Sequence, residues 1–497
     1  MLLLILAAVL AGLLGWLAVL FHQRNQYWAR RGIPHTPPHP IVGSFSFLFK
    51  KNVGIWMRDL RLQHSSPLVG IWVFWKPVLV VADPQIARRV LIQDSDLFRN
   101  RYISSGKSDP IGSQNLFTVN DPTWTNVRRR LTYIFTAAKL KAMQEFTTGK
   151  SQDVVNRIKE YNSENKPVDL RVLFSDVTTD IFGTFAFGIQ TDSVKTGDSV
   201  LRAVTRTFQE FDVYRGMCWL SIFFWPGLVD IFRFSLFPKK TTDFFKKTVN
   251  EIIEYRIKNK VEKSDLLDAL IKMKKEGLDE GQEFDDNLLA AQATIMLQGG
   301  FDTTAGTLTF TMNELAHYPD IQERLYNELV EAKEQKNNED LGFNDLEKLT
   351  YLNCVIKEVL RKYPPMGWLD RVAATDYPIN AKLTLPRGTP VYVNAIGMHY
   401  DPQYFPDPHV FNPDRFLPEN ESSVVPFSYM PFGDGPRMCI GMRFAQMTMR
   451  TVISEIVLNL QLKPKPGFPT PDKVEFETKG LFLLPGAPLC LDFVPRN

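Results

Sequence analysis

The sequence predicts one large domain that is mainly α-helical with a minor β-sheet region, preceded by a single apolar segment. Three observations carry this. The 497 residues are 44% hydrophobic and 23% charged and include 36 Phe and 9 Trp, which supports a sizeable core and excludes a disordered or fibrous chain. Apolar residues recur with a helical period from Trp124 to about Tyr363, whereas β-branched runs bounded by turn residues lie on the two flanks. After Pro40 there is neither an internal repeat nor a shift in composition that would mark a second boundary. The 58 Lys and Arg against 55 Asp and Glu leave a net charge of +3, too little for a nucleic-acid footprint spread over the surface.

Residues 1–21 carry no charge and as a helix would span about 30 Å, the thickness of a bilayer's hydrocarbon core. No basic residue precedes the run, and it is longer than the apolar part of a signal peptide, so it reads as an uncleaved transmembrane anchor. Arg24, Arg30 and Arg31 follow it, which by the positive-inside rule keeps the remainder cytosolic. Four cysteines without a pairing pattern, Cys218, Cys354, Cys439 and Cys490, agree with a reducing compartment. Residues 22–40 form a basic and Pro-rich linker whose Pro34 to Pro40 part favours stiff polyproline II structure, and residues 41–497 form the globular domain.

Leu68 to Val81, broken at Lys76-Pro77, reads as a hairpin. Long amphipathic helical stretches include Thr248 to Lys260 and Asp286 to Tyr318. A second hairpin is expected over Leu383 to Ala395 around Pro386-Arg387-Gly388, with short strands from Lys473 to Phe493. The apolar segment Trp219 to Phe237 is too short and interrupted to span a bilayer; it either packs into the core or dips into a membrane surface.

The seven His show no zinc-ligating spacing, and no P-loop is present. Gly433-Asp434-Gly435 begins like a dinucleotide fingerprint, but Met438 stands where the third glycine belongs. Instead, residues 431–445, PFGDGPRMCIGMRFA, place Phe432, Gly435, Arg437, Cys439 and Gly441 in an FxxGxRxCxG spacing followed by a helix. A thiol at a helix N-terminus is expected to have a lowered pKa and so to be a soft anionic ligand. Phe432 would cover it, and Arg437 could neutralise an acidic cofactor group.

This loop resembles the haem-binding signature of the cytochrome P-450 haem-thiolate monooxygenases, and the resemblance extends along the chain. It implies that Cys439 is the axial ligand of the iron of haem b (iron protoporphyrin IX), buried between two long helices. Glu358 and Arg361, with Arg415 in Pro413-Asp414-Arg415-Phe416, look like the family's structural ExxR triad. Trp124 and Arg128 are similar to its WxxxR pair for a haem propionate, and Arg101, Arg371 and Arg437 match further propionate-binding positions. Gln298-Gly299-Gly300-Phe301-Asp302-Thr303-Thr304 resembles the oxygen-binding motif. There Gly300 would border the cofactor, Thr303 would hydrogen-bond bound oxygen and a water, and Asp302 would relay protons inward. By location, Phe117, Phe301, Met366 to Leu369 and Leu481 to Leu483 would wall the substrate pocket.

The resemblance is strongest to insect microsomal members that oxidise plant toxins and insecticides. It implies an enzyme anchored in the endoplasmic reticulum membrane that inserts one oxygen atom from O2 into apolar small molecules, xenobiotics or endogenous lipids and hormones. Electrons would come from NADPH through NADPH-cytochrome P-450 reductase, with cytochrome b5 as a further donor. Arg129, Arg130, Lys139 and Lys141 follow the WxxxR motif on the side where a reductase would dock. The alternatives are a haem-thiolate isomerase or dehydratase, against which the Asp302-Thr303 pair argues, and a haem-binding protein without turnover.

Overall fold

The computed structural model describes residues 1–496 apart from 49, 280, 282 and 283. Helix α1 (Leu2–Ala29) is long and apolar enough to cross a membrane, and its first turns pack against nothing else in the protein. It does not stop at Phe21: the first part of the expected 22–40 linker is helical, and its end is docked. Trp28 is fully buried, donates from Nε1 to Ile71 O (3.1 Å) and lies so close to Gly70 that a Cβ there would sit 2.3 Å from the indole. Arg24 donates to the carbonyls of His39 (2.9 Å) and Pro40 (3.0 Å), folding the Pro-rich segment back beside the helix.

Strands β1 (Leu68–Val73) and β2 (Lys76–Val81) form the first hairpin, with Leu68 opposite Val81 and Val73 opposite Lys76. Its turn falls on Phe74 and Trp75, one step before Lys76-Pro77; Pro77 is tolerated inside β2 because that strand's second neighbour pairs only from Leu79 onward. Helices α2 (Thr123–Leu131), α3 (Ala137–Ser163), α4 (Leu170–Phe187), α5 (Val200–Phe208), α6 (Val213–Phe224), α7 (Gly227–Phe232), α8 (Lys239–Asn259), α9 (Asp286–His317) and α10 (Thr350–Lys362) follow. The spine is α9, 32 residues long and capped by Asp285, whose carboxylate accepts from Leu288 N (2.8 Å). It is buried along most of its length because α4 packs along one side of it and α8 along another.

Beyond α10, strands β3 (Leu369–Val372), β4 (Tyr377–Asn380), β5 (Leu383–Leu385) and β6 (Pro390–Val393) divide between two sheets. The second expected hairpin does not form. β5 pairs with β4, whereas β6 pairs parallel to β2 and antiparallel to β3. The Pro386 to Gly388 turn carries the chain from one sheet to the other: Gly388 sits at φ 81° and donates to Ala373 O (2.8 Å), while Arg387 N donates to Asp376 Oδ1 (2.8 Å). Helix α11 (Met442–Asn459) leads into β7 (Leu460–Pro464), which pairs with β8 (Cys490–Pro495). Within the region expected to hold short strands, β8 and an isolated bridge between Phe476 and Pro485 are formed.

The apolar segment 219–237 is divided in the same way. Cys218, Trp219, Ile222, Phe223 and Phe224 on α6 are buried in the core, while Trp225, Ile231 and Phe232 are exposed.

The site-bearing loops are held by one buried ion pair on α10. Glu358 and Arg361 are fully buried and joined by two parallel hydrogen bonds of 2.7 and 2.8 Å. Glu358 also accepts from Asn412 N (2.9 Å) and has Arg415 at 3.5 Å, while Arg361 donates to His399 O (2.8 Å). His399 extends the chain of contacts: Met430 N donates to its Nε2 (3.1 Å), so its proton is on Nδ1, facing Arg361 O at 3.0 Å. Burial and the nearby Arg361 charge push this imidazole from 6.5 down to about 3. The unfolded chain therefore takes up a proton near pH 6.5 that the folded protein refuses until about 3, so stability falls as pH drops through that window, by up to about 1.4 kcal/mol per pH unit. Urea unfolding across pH 7 to 4 is expected to show this slope, and His399→Gln to flatten it.

Candidate active site

Residues 430–441 close on themselves before α11. Cys439 N donates to Phe432 O (2.9 Å) and Met438 N to Gly435 O (3.0 Å). Gly435 has φ 72° and presses against the chain at Leu91, whose carbonyl oxygen would lie 1.9 Å from an added Cβ, so only glycine fits. The sulfur of Cys439 opens into an internal cavity. Burial pushes its thiol above the usual value, opposed by the Gly441 backbone N–H and the charges of Arg128 and Arg101. The expected lowering is not met, because α11 begins three residues further on and burial outweighs what the dipole contributes there.

The cavity, of about 280 Å³, is bounded by the cysteine loop (Phe432, Arg437, Cys439), by Trp124 and Arg128 on α2, and by Arg101. Opposite, α9 presents Ile295, Met296, Gln298, Gly299, Gly300, Thr303 and Thr307. Phe117, Trp219, Leu236, Met366, Leu369 and Phe482 are among the other lining residues.

Positive charge is concentrated at one end. Arg101 donates to Phe117 O (3.0 Å), with Asp370 at 3.9 Å. Arg437 lies 4.3 Å over the Trp124 ring and donates to Arg99 O, Val119 O and Asn120 Oδ1. Yet Nε of Arg101 and Nη1 of Arg437 are buried without a hydrogen bond, and neither the Arg128 guanidinium nor the Trp124 indole N–H has a partner among the described residues. Burial and mutual repulsion lower the pKa of Arg371 to about 9 and that of Arg437 to about 8. Asp370 is the nearest carboxylate, and it is already engaged by the N–H groups of Tyr102 (2.8 Å) and Ile103 (3.3 Å). The cluster is thus short of negative charge and of acceptors, and a thiol faces the same space. A flat iron macrocycle with two carboxylate arms fits that donor set.

Several expected site residues stand elsewhere. Arg371 is buried behind the wall, donating to Asp370 O (2.8 Å), and reaches the cluster only through its charge. Asp302 does not line the cavity. It points from the far side of α9, where Gln209 donates to it (3.0 Å) and Arg171 lies 3.6 Å away, while Thr303 faces the cavity and donates to Gly299 O (2.6 Å). Phe301 is not a pocket wall either: it is fully buried against Phe208, 5.9 Å between rings. Of Met366 to Leu369, Met366 and Leu369 reach the cavity; of Leu481 to Leu483, Phe482 does. Arg130, taken with the docking charges, is buried.

The double glycine proves to be a close approach without a break in the helix. A Cβ on Gly300 would lie 2.1 Å from the Phe182 ring, and Thr178 on the same helix as Phe182 donates to Phe301 O (3.0 Å). Gly299 faces open space. Trp219, Ile295, Met296 and Gln298 are cavity residues that the sequence reading passed over; the spacing Ile295, Gly299, Thr303, Thr307 was the available signal.

A sequence model of the cytochrome P450 family matches residues 34–492. Among curated proteins, the chain is similar to cytochrome P450 6k1 of Blattella germanica, 34% identical over 94% of this chain and 93% of that one. It is also 34% identical to cytochrome P450 6l1 of the same organism, over 98% and 96% of the two chains. The probable cytochrome P450 6g2 of Drosophila melanogaster is 33% identical over 96% of each.

The two glycines predict opposite responses. Gly299→Ala is expected to be neutral or to stabilise by up to about 1 kcal/mol through helix propensity. Gly300→Ala should destabilise by about 1–3 kcal/mol as Phe182 is displaced, both read from urea unfolding midpoints.

Proposed function

The chain belongs to the cytochrome P450 family and is a P450 monooxygenase, and from that premise we propose how its own residues serve the reaction. One observation carries the proposal: a thiol and a cluster of under-satisfied arginines open into the same largely apolar cavity. Cys439 is the ligand of the iron of haem b. Arg101, Arg128 and Arg437, with the Trp124 indole, hold the propionates, and Arg371 supports them from behind by its charge. Gly300, on the cavity wall, would border the cofactor, and Phe432 would cover the sulfur. When bound, the haem supplies dioxygen activation.

Thr303 is the only hydroxyl that α9 turns to the cavity beside Gly299 and Gly300, apart from Thr307 one turn on, whose proton is held by Thr303 O (2.9 Å). With its proton shared with Gly299 O, Thr303 Oγ is a ready acceptor for a water and passes protons into an otherwise dry space. Asp302 is the ionisable group on the opposite side of the helix. It is buried beside Gln209 and the partly buried Arg171, and from that side of the helix its role is to relay protons inward.

Substrates are apolar small molecules, in keeping with the wall of Phe117, Leu236, Ile295, Met366 and Phe482; the insect relatives favour xenobiotics among them. Electrons come from NADPH through NADPH-cytochrome P-450 reductase, with cytochrome b5 as a further donor. Docking draws on Arg129, Lys139 and Lys141, with Arg130 removed from that set by its burial. Helix α1 anchors the protein in the endoplasmic reticulum membrane, with the catalytic domain on the cytosolic face.

Cys439→Ser is expected to abolish the thiolate-type band of the ferrous CO complex; a retained band would remove Cys439 as the ligand. Thr303→Ala should leave haem content intact while product per NADPH falls on the order of tenfold and hydrogen peroxide accounts for the remainder. An unchanged ratio of product to NADPH at full haem occupancy would remove Thr303 from proton delivery and favour an isomerase.

A further inference from the structure

Most of the cavity wall away from the arginines is hydrocarbon, which makes its polar exceptions informative. Gln298 is 4% exposed, lines the cavity from α9, and its amide makes no hydrogen bond to any described residue. Two other buried glutamines behave otherwise. Gln292, less than two turns earlier on α9, accepts from Leu116 N (2.8 Å) and donates to Gln114 O (2.7 Å) and Leu288 O (3.2 Å). Gln322 accepts from Leu462 N (2.8 Å) and donates to Leu315 O (2.9 Å) and Leu462 O (3.0 Å). Each of these ties two segments together; Gln298 ties nothing. A second polar group shares the same wall in the same condition. Trp219 on α6 is 7% exposed, packs against Phe223 and Phe482, and its indole N–H also lacks a partner among the described residues.

Desolvating an amide without a partner is costly, and nothing in the packing requires an amide at 298: its cavity neighbours Ile295 and Met296 on α9 are apolar. Leu or Met would fill such a position at no polar cost. An indole N–H can only donate, and a carboxamide NH2 can donate as well, so the chemistry that satisfies both is an acceptor oxygen carried by an otherwise apolar molecule. A hydrocarbon ligand would leave both groups unpaired, whereas a carbonyl-bearing one would not, and discrimination by unpaired polar groups is sharper than discrimination by shape alone.

We propose that Gln298, together with the Trp219 indole, is a specificity-determining contact of this cavity for a carbonyl oxygen on an apolar substrate, so that ketones, esters or lactones are preferred over the corresponding hydrocarbons. This rests on the monooxygenase reading only for what happens to the ligand afterwards; the binding preference belongs to the wall itself.

The test uses the full-length holoenzyme in detergent and three matched pairs of probes: acetophenone with ethylbenzene, benzophenone with diphenylmethane, and 9-fluorenone with fluorene. Dissociation constants are measured by equilibrium dialysis with detection by mass spectrometry, for wild type, Gln298→Leu and Trp219→Phe. In at least one pair the ketone-to-hydrocarbon affinity ratio should fall about tenfold in Gln298→Leu, and fall in Trp219→Phe with hydrocarbon affinity kept. Without ligand, Gln298→Leu should keep or raise the melting temperature, since no hydrogen bond is lost. Equal ratios in wild type and Gln298→Leu for all three pairs would overturn the proposal and leave Gln298 satisfied by cavity water alone. A lowered melting temperature in Gln298→Leu would overturn it in favour of a structural amide. Dialysis does not depend on iron ligation, so loss of the thiolate-type CO band in wild type would count against the haem reading and not against Gln298.

Discussion

The buried Glu358–Arg361 pair is the contact on which the rest of the site depends. A fully buried ion pair is a poor source of net stability, since desolvation offsets most of the attraction. Its effect is to specify register. Other segments meet its remaining groups: Glu358 accepts from Asn412 N and faces Arg415, and Arg361 donates to His399 O and Val410 O. His399 then passes the constraint to Met430 N, the residue that precedes the cysteine loop. Removing either partner would leave an uncompensated charge facing three chain segments at once, so these segments are held to one arrangement. Because the imidazole of His399 is neutral and of defined tautomer, it can accept on one nitrogen and donate on the other, which a protonated ring could not do.

The loop so placed meets an opposite constraint in the arginine cluster. Burial lowers the pKa of Arg101, Arg371 and Arg437, the charge of Arg101 adds to this at Arg371 and those of Arg101 and Arg371 at Arg437, and all three share Asp370 as a counter-charge. Folding nevertheless keeps them together, because backbone carbonyls at Arg99, Phe117, Val119 and Asp370 take up part of their donors. The site is therefore organised for negative charge before any arrives. Binding an anionic group there gains the electrostatic energy without the cost of rearranging side chains.

The fold and the cysteine loop were legible in the sequence to different depths. The glycines of residues 431–441 and the 286–318 helix are local features: a turn that admits only glycine and a long periodic stretch announce themselves without tertiary information. The strand partners were not legible. Pro386-Arg387-Gly388 is good turn chemistry, but whether it closes a hairpin or hands the chain to another sheet is decided by Ala373 and Asp376, which accept its N–H groups. Side-chain direction was lost in the same way. Phe301 and Asp302 sit in a motif that reads as one unit, yet the structure turns both away from the cavity, Phe301 to Phe208 and Asp302 to Gln209. Gln298, which faces the cavity together with Thr303 of the motif, sits beside the motif and outside its pattern.

The helix itself explains that division. Successive residues on an α-helix point about 100° apart, and at this turn Thr303 takes the cavity side while Asp302 is turned away from it. The helix stays intact, because Gly300 lets the Phe182 ring lie against the backbone and Thr178 reaches Phe301 O, clamping α4 to α9 at this turn. The clamp separates the two polar groups onto two sides of one element. Thr303 is left as a short, positioned hydroxyl on a largely apolar wall, and Asp302 as a buried carboxylate held by Gln209 with Arg171 beside it. Gly299, where an added side chain would meet nothing within 4 Å, lines the cavity on the same side as Thr303. The two glycines thus differ in what they do: Gly300 permits the packing that fixes the helix, and Gly299 keeps the cavity face beside Thr303 uncrowded.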